Sequence, residues 1–273
     1  MTLTLQMKKA MQHPRRPRPS ECGPRRIVSL VPSVTETLCR FGLARNLVGV
    51  TQYCISPAAS LRRAARVGGP LNPSIKKILS LKPDIVFASD EENRKRDVEA
   101  LTRQGVPVYI CRVRGVEDAI GMMRDIFAMW PCLHKPRGII HETESLYLKR
   151  LKTFPGNTLV ACLLWKSPYM ACGRDTYISR LIEICGGLNV LRSKKRYFEL
   201  TLDEIARAKP RLVLLPTEPY RFQAKDRAEI LSQLRKRSLA DCRVRIVDGE
   251  MLAWYGARTR DALKRLPALL RHR

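Results

Sequence analysis

Short apolar runs alternate with helically spaced segments along this chain, and each change of period marks an element. Ile27 to Val31 is a β-branched apolar run closed by Pro32-Ser33, which predicts a buried strand. Ser33-Val34-Thr35-Glu36 has the spacing of a capping box, so a helix is expected from there to Gly42. Leu47 to Val50 reads as a second strand, Pro73 to Leu81 as a helix ended by Lys82-Pro83-Asp84, and Asp84 to Ala88 as a parallel strand. Val98 to Gln104 follows as a helix and Pro107 to Val113 as a strand.

Val116 to Trp130 and Pro136 to Thr153 are helical in spacing, broken at Trp130-Pro131, with no strand between them. Beyond them come a strand at Thr158 to Leu164, a helix at Tyr177 to Cys185 closed by Gly186-Gly187, and a helix at Leu202 to Ala208. Leu212 to Leu215 and Val244 to Val247 supply further strands. The halves echo each other: Leu79 to Val86 and Ile205 to Val213 both run helix end, Lys-Pro break, strand, as an internal duplication would.

The predicted fold class is α/β, two Rossmann-like lobes with parallel sheets, joined by a long helical segment. The ligand cleft is expected between the lobes at the strand C-termini, where open α/β sheets take their ligands. The expected boundaries are a flexible basic tail over 1–25, rich in proline, a first lobe over 26–115, a linking segment over 116–155 and a second lobe over 156–273.

Composition narrows the classes. With 273 residues and 45% hydrophobic content the chain is globular, and it has no apolar run of membrane-spanning length. The start shows no readable export signal, which points to a cytoplasmic location, or a periplasmic one if the start is misassigned. Nine cysteines, an odd number without a Cys-Xaa-Xaa-Cys pair, read as mostly reduced thiols.

The 51 Lys and Arg against 25 Asp and Glu, a net charge of +26, would attract nucleic acid or an anionic membrane. No zinc-finger spacing, RNA-binding aromatic signature or helix-turn-helix accompanies that charge, so a nucleic-acid or acidic-partner adaptor stands only as a third alternative.

Catalytic signatures are missing too: there is no Gly-Xaa-Ser-Xaa-Gly, phosphate-binding loop or paired His-Glu motif. The folded part holds only His134 and His141, with His272 at the end, so a bare transition-metal site is not expected. Cys162, Cys172 and Cys185 fit no zinc spacing. Asp90, Glu91 and Glu92 read as a solvated helix start. The chain is expected to be a binding protein that is not an enzyme and requires no cofactor.

Three segments carry a family resemblance: Ile27-Val28-Ser29-Leu30-Val31-Pro32-Ser33-Val34-Thr35-Glu36, Leu81-Lys82-Pro83-Asp84-Ile85-Val86 and Cys185-Gly186-Gly187-Leu188-Asn189-Val190. In order and spacing they resemble the class III substrate-binding proteins of ABC transporters, the helical-backbone receptors for cobalamin and iron chelates, over residues 26–270. The resemblance is strongest to the cobalamin-binding branch, because Val50-Thr51-Gln52-Tyr53 matches a loop whose tyrosine packs on the corrin.

The resemblance implies ligand contacts at Tyr53, Trp165, Tyr197, Trp254, Tyr255 and Arg258, giving a broad flat ring aromatic faces and hydrogen-bond donors. The implied ligand is cobalamin. Haem or a ferric siderophore is the alternative, which the positive charge and Arg174, Arg258 and Arg260 would favour. Aromatic positions of the family fall on Gly68 and Ser89, and its transporter-docking acids fall on Lys76 and Asp203, so one docking charge is reversed.

Overall fold

The computed structural model describes residues 23–153 and 157–271. Most of the tail expected over 1–25, together with His272, lies outside the described residues. Residues 23–25 are described and tied down: the Pro24 carbonyl accepts from the Trp130 indole at 3.1 Å, and the Arg25 and Arg26 amides donate to Asp84 at 2.8 and 2.9 Å.

The described residues up to Arg112, with Ile120–His141, form one compact unit; Val113–Ala119 and the residues from Glu142 onward form the other. The first unit contains β1 (Ile27–Ser29), α1 (Pro32–Arg40), β2 (Leu47–Val50), β3 (Ala65–Arg66), β4 (Gly68–Gly69), β5 (Asn72–Pro73), α2 (Ile75–Ser80), β6 (Ile85–Ser89), α3 (Lys95–Arg103) and β7 (Val108–Cys111). Its main sheet has the order β3-β2-β1-β6-β7 and every pairing is parallel. All five residues of β6 are buried, as a strand inside a sheet covered on both faces requires. One face packs Val28, Leu30, Val86 and Ala88 against Ile78, Val98 and Leu101.

Residues 116–155 contain α4 (Val116–Met129) and α5 (Lys135–Lys152), and the division between the units falls inside both helices.

The second unit continues with β8 (Thr158–Trp165), β9 (Tyr169–Cys172), α6 (Tyr177–Ile184), β10 (Gly187–Asn189), β11 (Tyr197–Leu200), α7 (Leu202–Ala208), β12 (Leu212–Pro216), α8 (Ala224–Arg235), β13 (Arg243–Val247), α9 (Gly249–Ala253) and α10 (Thr259–Leu270). Its sheet runs β11-β9-β8-β12-β13, with β10 beside β8. The β8, β10, β12 and β13 pairings are parallel, but β9 is antiparallel to both β8 and β11. This sheet is therefore mixed where a purely parallel one was expected. The turn after Trp165 is a hairpin connection, too short for the crossover that a parallel neighbour needs.

The sequence echo has a geometric counterpart. Lys82 and Lys209 are both left-handed, with φ of 45° and 50°, and each precedes a proline and then a buried strand, β6 or β12. Because Pro disfavours α conformation in the residue before it, the helix must stop there in both units.

The expected capping box at α1 does not form. Val31 is the N-cap residue and Pro32 opens the helix; Ser33 is buried with no hydrogen-bond partner for its hydroxyl among the described residues, and Glu36 instead pairs with Arg40 at 2.8 Å. Proline at the first helical position supplies the φ the helix start needs, so Ser33, two residues past the N-cap, is already inside the helix.

Candidate functional site

In the first unit the loops leaving the C-terminal ends of β1, β2 and β6 converge on one edge of a parallel sheet, the edge at which such sheets take ligands. Tyr53 stands three residues beyond β2 and is 54% exposed. Its turn is held closely. The Gln52 amide donates to the Gly68 carbonyl at 3.0 Å, and Arg66 donates to the carbonyls of Thr51 and Cys54 at 3.0 and 2.8 Å. The Cys54 thiol points inward, 3.1 Å from the hydroxyls of both Thr35 and Thr51, and burial raises its pKa. The buried thiol anchors the turn and its neighbour carries the open ring.

Neither Gly68 nor Ser89 could add a second aromatic face. Gly68 has φ +104°, and a Cβ there would lie 2.7 Å from the Asn72 carbonyl oxygen. Ser89 is buried and accepts from the Glu91 amide at 3.1 Å. Asp90 to Glu92 lie in a turn before α3, which begins only at Lys95, so they are not the helix start read from the sequence.

In the second unit Trp165 is the last residue of β8, at the C-terminal edge shared with β12 and β13. It is 41% exposed and meets Tyr220 edge-on, with ring centroids 5.6 Å apart. Its neighbour Lys166 donates to Asp226 at 2.8 Å and Glu229 at 2.7 Å; these carboxylates raise the Lys166 pKa, and Lys166 lowers that of Asp226.

Tyr197 is 36% exposed and opens β11 opposite Cys172, the last residue of β9. Trp165 pairs with Met170, two residues along β9 from Cys172, so Tyr197 is offset from Trp165 by roughly 7 Å along the strand direction, at about 3.3 Å per residue.

Trp254 and Tyr255 follow α9 and are only 4% and 5% exposed. The Arg258 guanidinium lies 5.3 Å from the Trp254 ring centroid and pairs with Glu250 at 2.8 Å, while Tyr255 packs edge-on against Tyr177. The Tyr177 hydroxyl is itself hydrogen-bonded to Thr259 at 2.8 Å. Asp203 is paired with Arg237 at 2.6 Å, and Lys76 is exposed on α2. Arg260 pairs with Glu142 at 3.1 Å.

Glu218, which sequence reasoning passed over, lies at the same edge just beyond β12. Burial and the neighbouring Glu250 raise its pKa, partly offset by a hydrogen bond from Trp254 and by Arg258. Its only signal in the sequence was position: Thr217-Glu218-Pro219 directly follows a buried strand. Among the described residues no group of three metal-ligating side chains occurs, and seven cysteines are free, six of them buried. Cys132 is disulfide-bonded.

A family model described as periplasmic binding protein matches residues 27–240. The chain belongs to the periplasmic binding protein family. Like that family it is a solute-binding protein and not an enzyme. This periplasmic binding protein is similar, at 24% identity over 192 residues and 69% of each chain, to the vitamin B12-binding protein of Vibrio cholerae serotype O1.

The crystal structure of the periplasmic vitamin B12-binding protein of Vibrio cholerae superposes with a TM-score of 0.75 at 20% identity, covering 91% of this chain and 97% of that one. A periplasmic haem-binding protein from Pseudomonas aeruginosa gives 0.76 at 19% identity, covering 90% and 92%. These likenesses show the fold. The expectation of a cytoplasmic location finds no support in a family described as periplasmic. No helix among the described residues is long and apolar enough to cross a membrane.

Proposed function

We propose that this periplasmic binding protein takes up a corrinoid of the cobalamin type, with Tyr53 of the first unit and Trp165 and Tyr197 of the second as its aromatic contacts. The observation that carries the reading is exposure. Among the described residues the large exposed aromatic side chains are those three, and the family resemblance implies a ligand contact at each. A ring system as broad as a corrin is recognised by flat apolar faces, and rings held open to water on well-anchored turns need no reorganisation before binding. The name of the Vibrio cholerae relatives supports the same ligand.

Trp254, Tyr255 and Arg258 serve this reading as the packed support beneath the edge. The partner expected from the family is an ABC transporter; Lys76 has the wrong sign for the docking contact, and Asp203 would have to exchange Arg237 for it. No further cofactor is required.

Haem is the second reading, favoured by the charge of +26, which suits propionates better than a neutral corrinoid. Titration calorimetry with cyanocobalamin, repeated with Tyr53→Ala and Trp165→Ala, tests the proposal. One-to-one binding weakened in both variants is the expected result. Absence of binding to cyanocobalamin, with saturable binding of haemin, would overturn it in favour of the second reading.

A further inference from the structure

We propose that the second unit carries an anion site of its own, in which the guanidiniums of Arg174, Arg180 and Arg192 take a small polyanion with clustered phosphate or carboxylate oxygens. These three exposed residues, with Glu183, Leu188 and Ser193, line an open surface concavity of about 600 Å³, a volume within the range of small-molecule sites. None of the aromatic residues assigned to the corrinoid lines it, so the inference goes beyond that reading and does not rest on it.

The backbone under the cavity is stapled in place. The Gly173 amide donates to the Arg196 carbonyl at 2.7 Å and the Arg174 amide to the Lys194 carbonyl at 3.1 Å, joining the end of β9 to the loop after β10. A Cβ at Gly173 would sit 2.4 Å from the Lys194 oxygen, so the approach that positions Arg174 depends on glycine. The Arg192 amide is held by the Asn189 carbonyl at 3.2 Å, and Asn189 is buried and bonded to Cys172 and Ser179.

The charges are unbalanced. Arg180 pairs with Glu183 at 3.2 Å, the one ion pair recorded among the cavity residues. The guanidiniums of Arg174 and Arg192 make no hydrogen bond or ion pair with any described residue. Lys194, Lys195 and Arg196 extend the positive field along the same loop, and the nearby Asp175 carboxylate is engaged by the Arg196 amide. Like charges lining a concavity repel one another and focus the field into it, a combination that a multiply charged anion relieves. Guanidinium forks match phosphate and carboxylate oxygens two at a time, so the chemistry wanted is an anion with several clustered oxygens.

The test is calorimetric titration of the full chain at low salt with pyrophosphate and, separately, with citrate. Saturable one-to-one binding of either is expected, and the better probe identifies the phosphate or carboxylate class. In Arg174→Ala/Arg192→Ala the dissociation constant should rise roughly tenfold or more, since each charge-assisted contact is worth at least that factor. Arg62→Ala/Arg63→Ala, which removes the same charge from an exposed segment of the first unit, should leave the constant unchanged. Failure of both probes to saturate, or equal weakening in the two double variants, would overturn the proposal and assign the binding to diffuse charge. Circular dichroism establishes that both variants are folded. Cyanocobalamin titration of the same proteins reports separately on the corrinoid reading, and Arg174→Ala/Arg192→Ala should leave it unchanged.

Discussion

The Arg66 guanidinium donates to the Cys54 carbonyl at 2.8 Å and, from the same nitrogen, to the Thr51 carbonyl at 3.0 Å, closing the turn that carries Tyr53. Tyr53 is thus held in place through the carbonyls of Thr51 and Cys54 on either side of it. Removing the clamp leaves two carbonyls without their charged donor. Arg66→Ala should lower stability by about 1–2 kcal/mol in urea denaturation. It should also weaken ligand binding less than Tyr53→Ala does, because the ring remains but must be ordered on binding.

The two tryptophans of the second unit should separate stability from recognition. Trp254 is buried under Arg258, so Trp254→Ala should cost about 3–5 kcal/mol. Trp165 meets Tyr220 edge-on and is 41% exposed, so Trp165→Ala should cost only about 1 kcal/mol. Thermal denaturation beside calorimetry of both variants reads the contrast, and the larger loss of affinity relative to stability belongs to Trp165.

Asp226 is buried and bonded to Lys166, and its pKa is held down first by that ammonium and then by the Gln223 amide. A folded pKa below the unfolded one contributes stability above the ordinary carboxylate range, lost as pH falls through the folded value. Asp226→Asn should therefore destabilise by about 2–3 kcal/mol at pH 7, the cost of leaving a partly buried ammonium with one partner fewer. Repeating the urea titration at about pH 3, below the ordinary aspartate value, should show the gap between the two proteins narrowed.

Glu218 should behave with the opposite sign. Burial, then Glu250, raises its pKa, so its contribution is most favourable below the ordinary glutamate range and is lost as pH rises through the raised value. Glu218→Gln does not titrate and keeps an acceptor for the Trp254 indole. Relative to wild type, the variant should gain stability between about pH 4 and pH 7, a range that brackets ordinary glutamate ionisation. A parallel pair of stability curves would show that Glu218 is not perturbed.

What the pattern of residues made legible was chiefly the buried scaffold. β2 and α7 fall on the residues expected, and β6, β8, β12 and β13 within one residue at either end, because apolar runs bounded by Pro, Gly or Lys-Pro breaks have few alternatives. The strands β9, β10 and β11 were not foreseen: β11 pairs at an edge and alternates exposed and half-buried positions, and β10 is three residues long. The helix α8 buries Asp226, Ile230 and Leu234 and packs Leu231 partly against the core, a sparse stripe that includes a carboxylate, and α10 contains Pro267.

The candidate site divides along the same line. That Tyr53, Trp165, Tyr197, Trp254, Tyr255 and Arg258 are the residues to examine was readable from the family motifs, since motif order survives where identity is low. Which of them are open was not. Trp165 ends β8 in solvent, whereas Trp254 follows α9 and lies under a guanidinium paired to Glu250. Likewise the three arginines of the anion cavity are 6 to 18 positions apart, and only the stapling of two loops brings them around one space.

By itself, then, the order of apolar runs and breaks determined an α/β chain, because β-branched strands alternating with helices bury their faces in such layers, while the three motifs carried the family resemblance. The tertiary structure alone decided which aromatic rings face water, that the second sheet is mixed, and where unpaired charge collects. Those outcomes depend on contacts between residues far apart in the chain, and local periodicity carries no information about them.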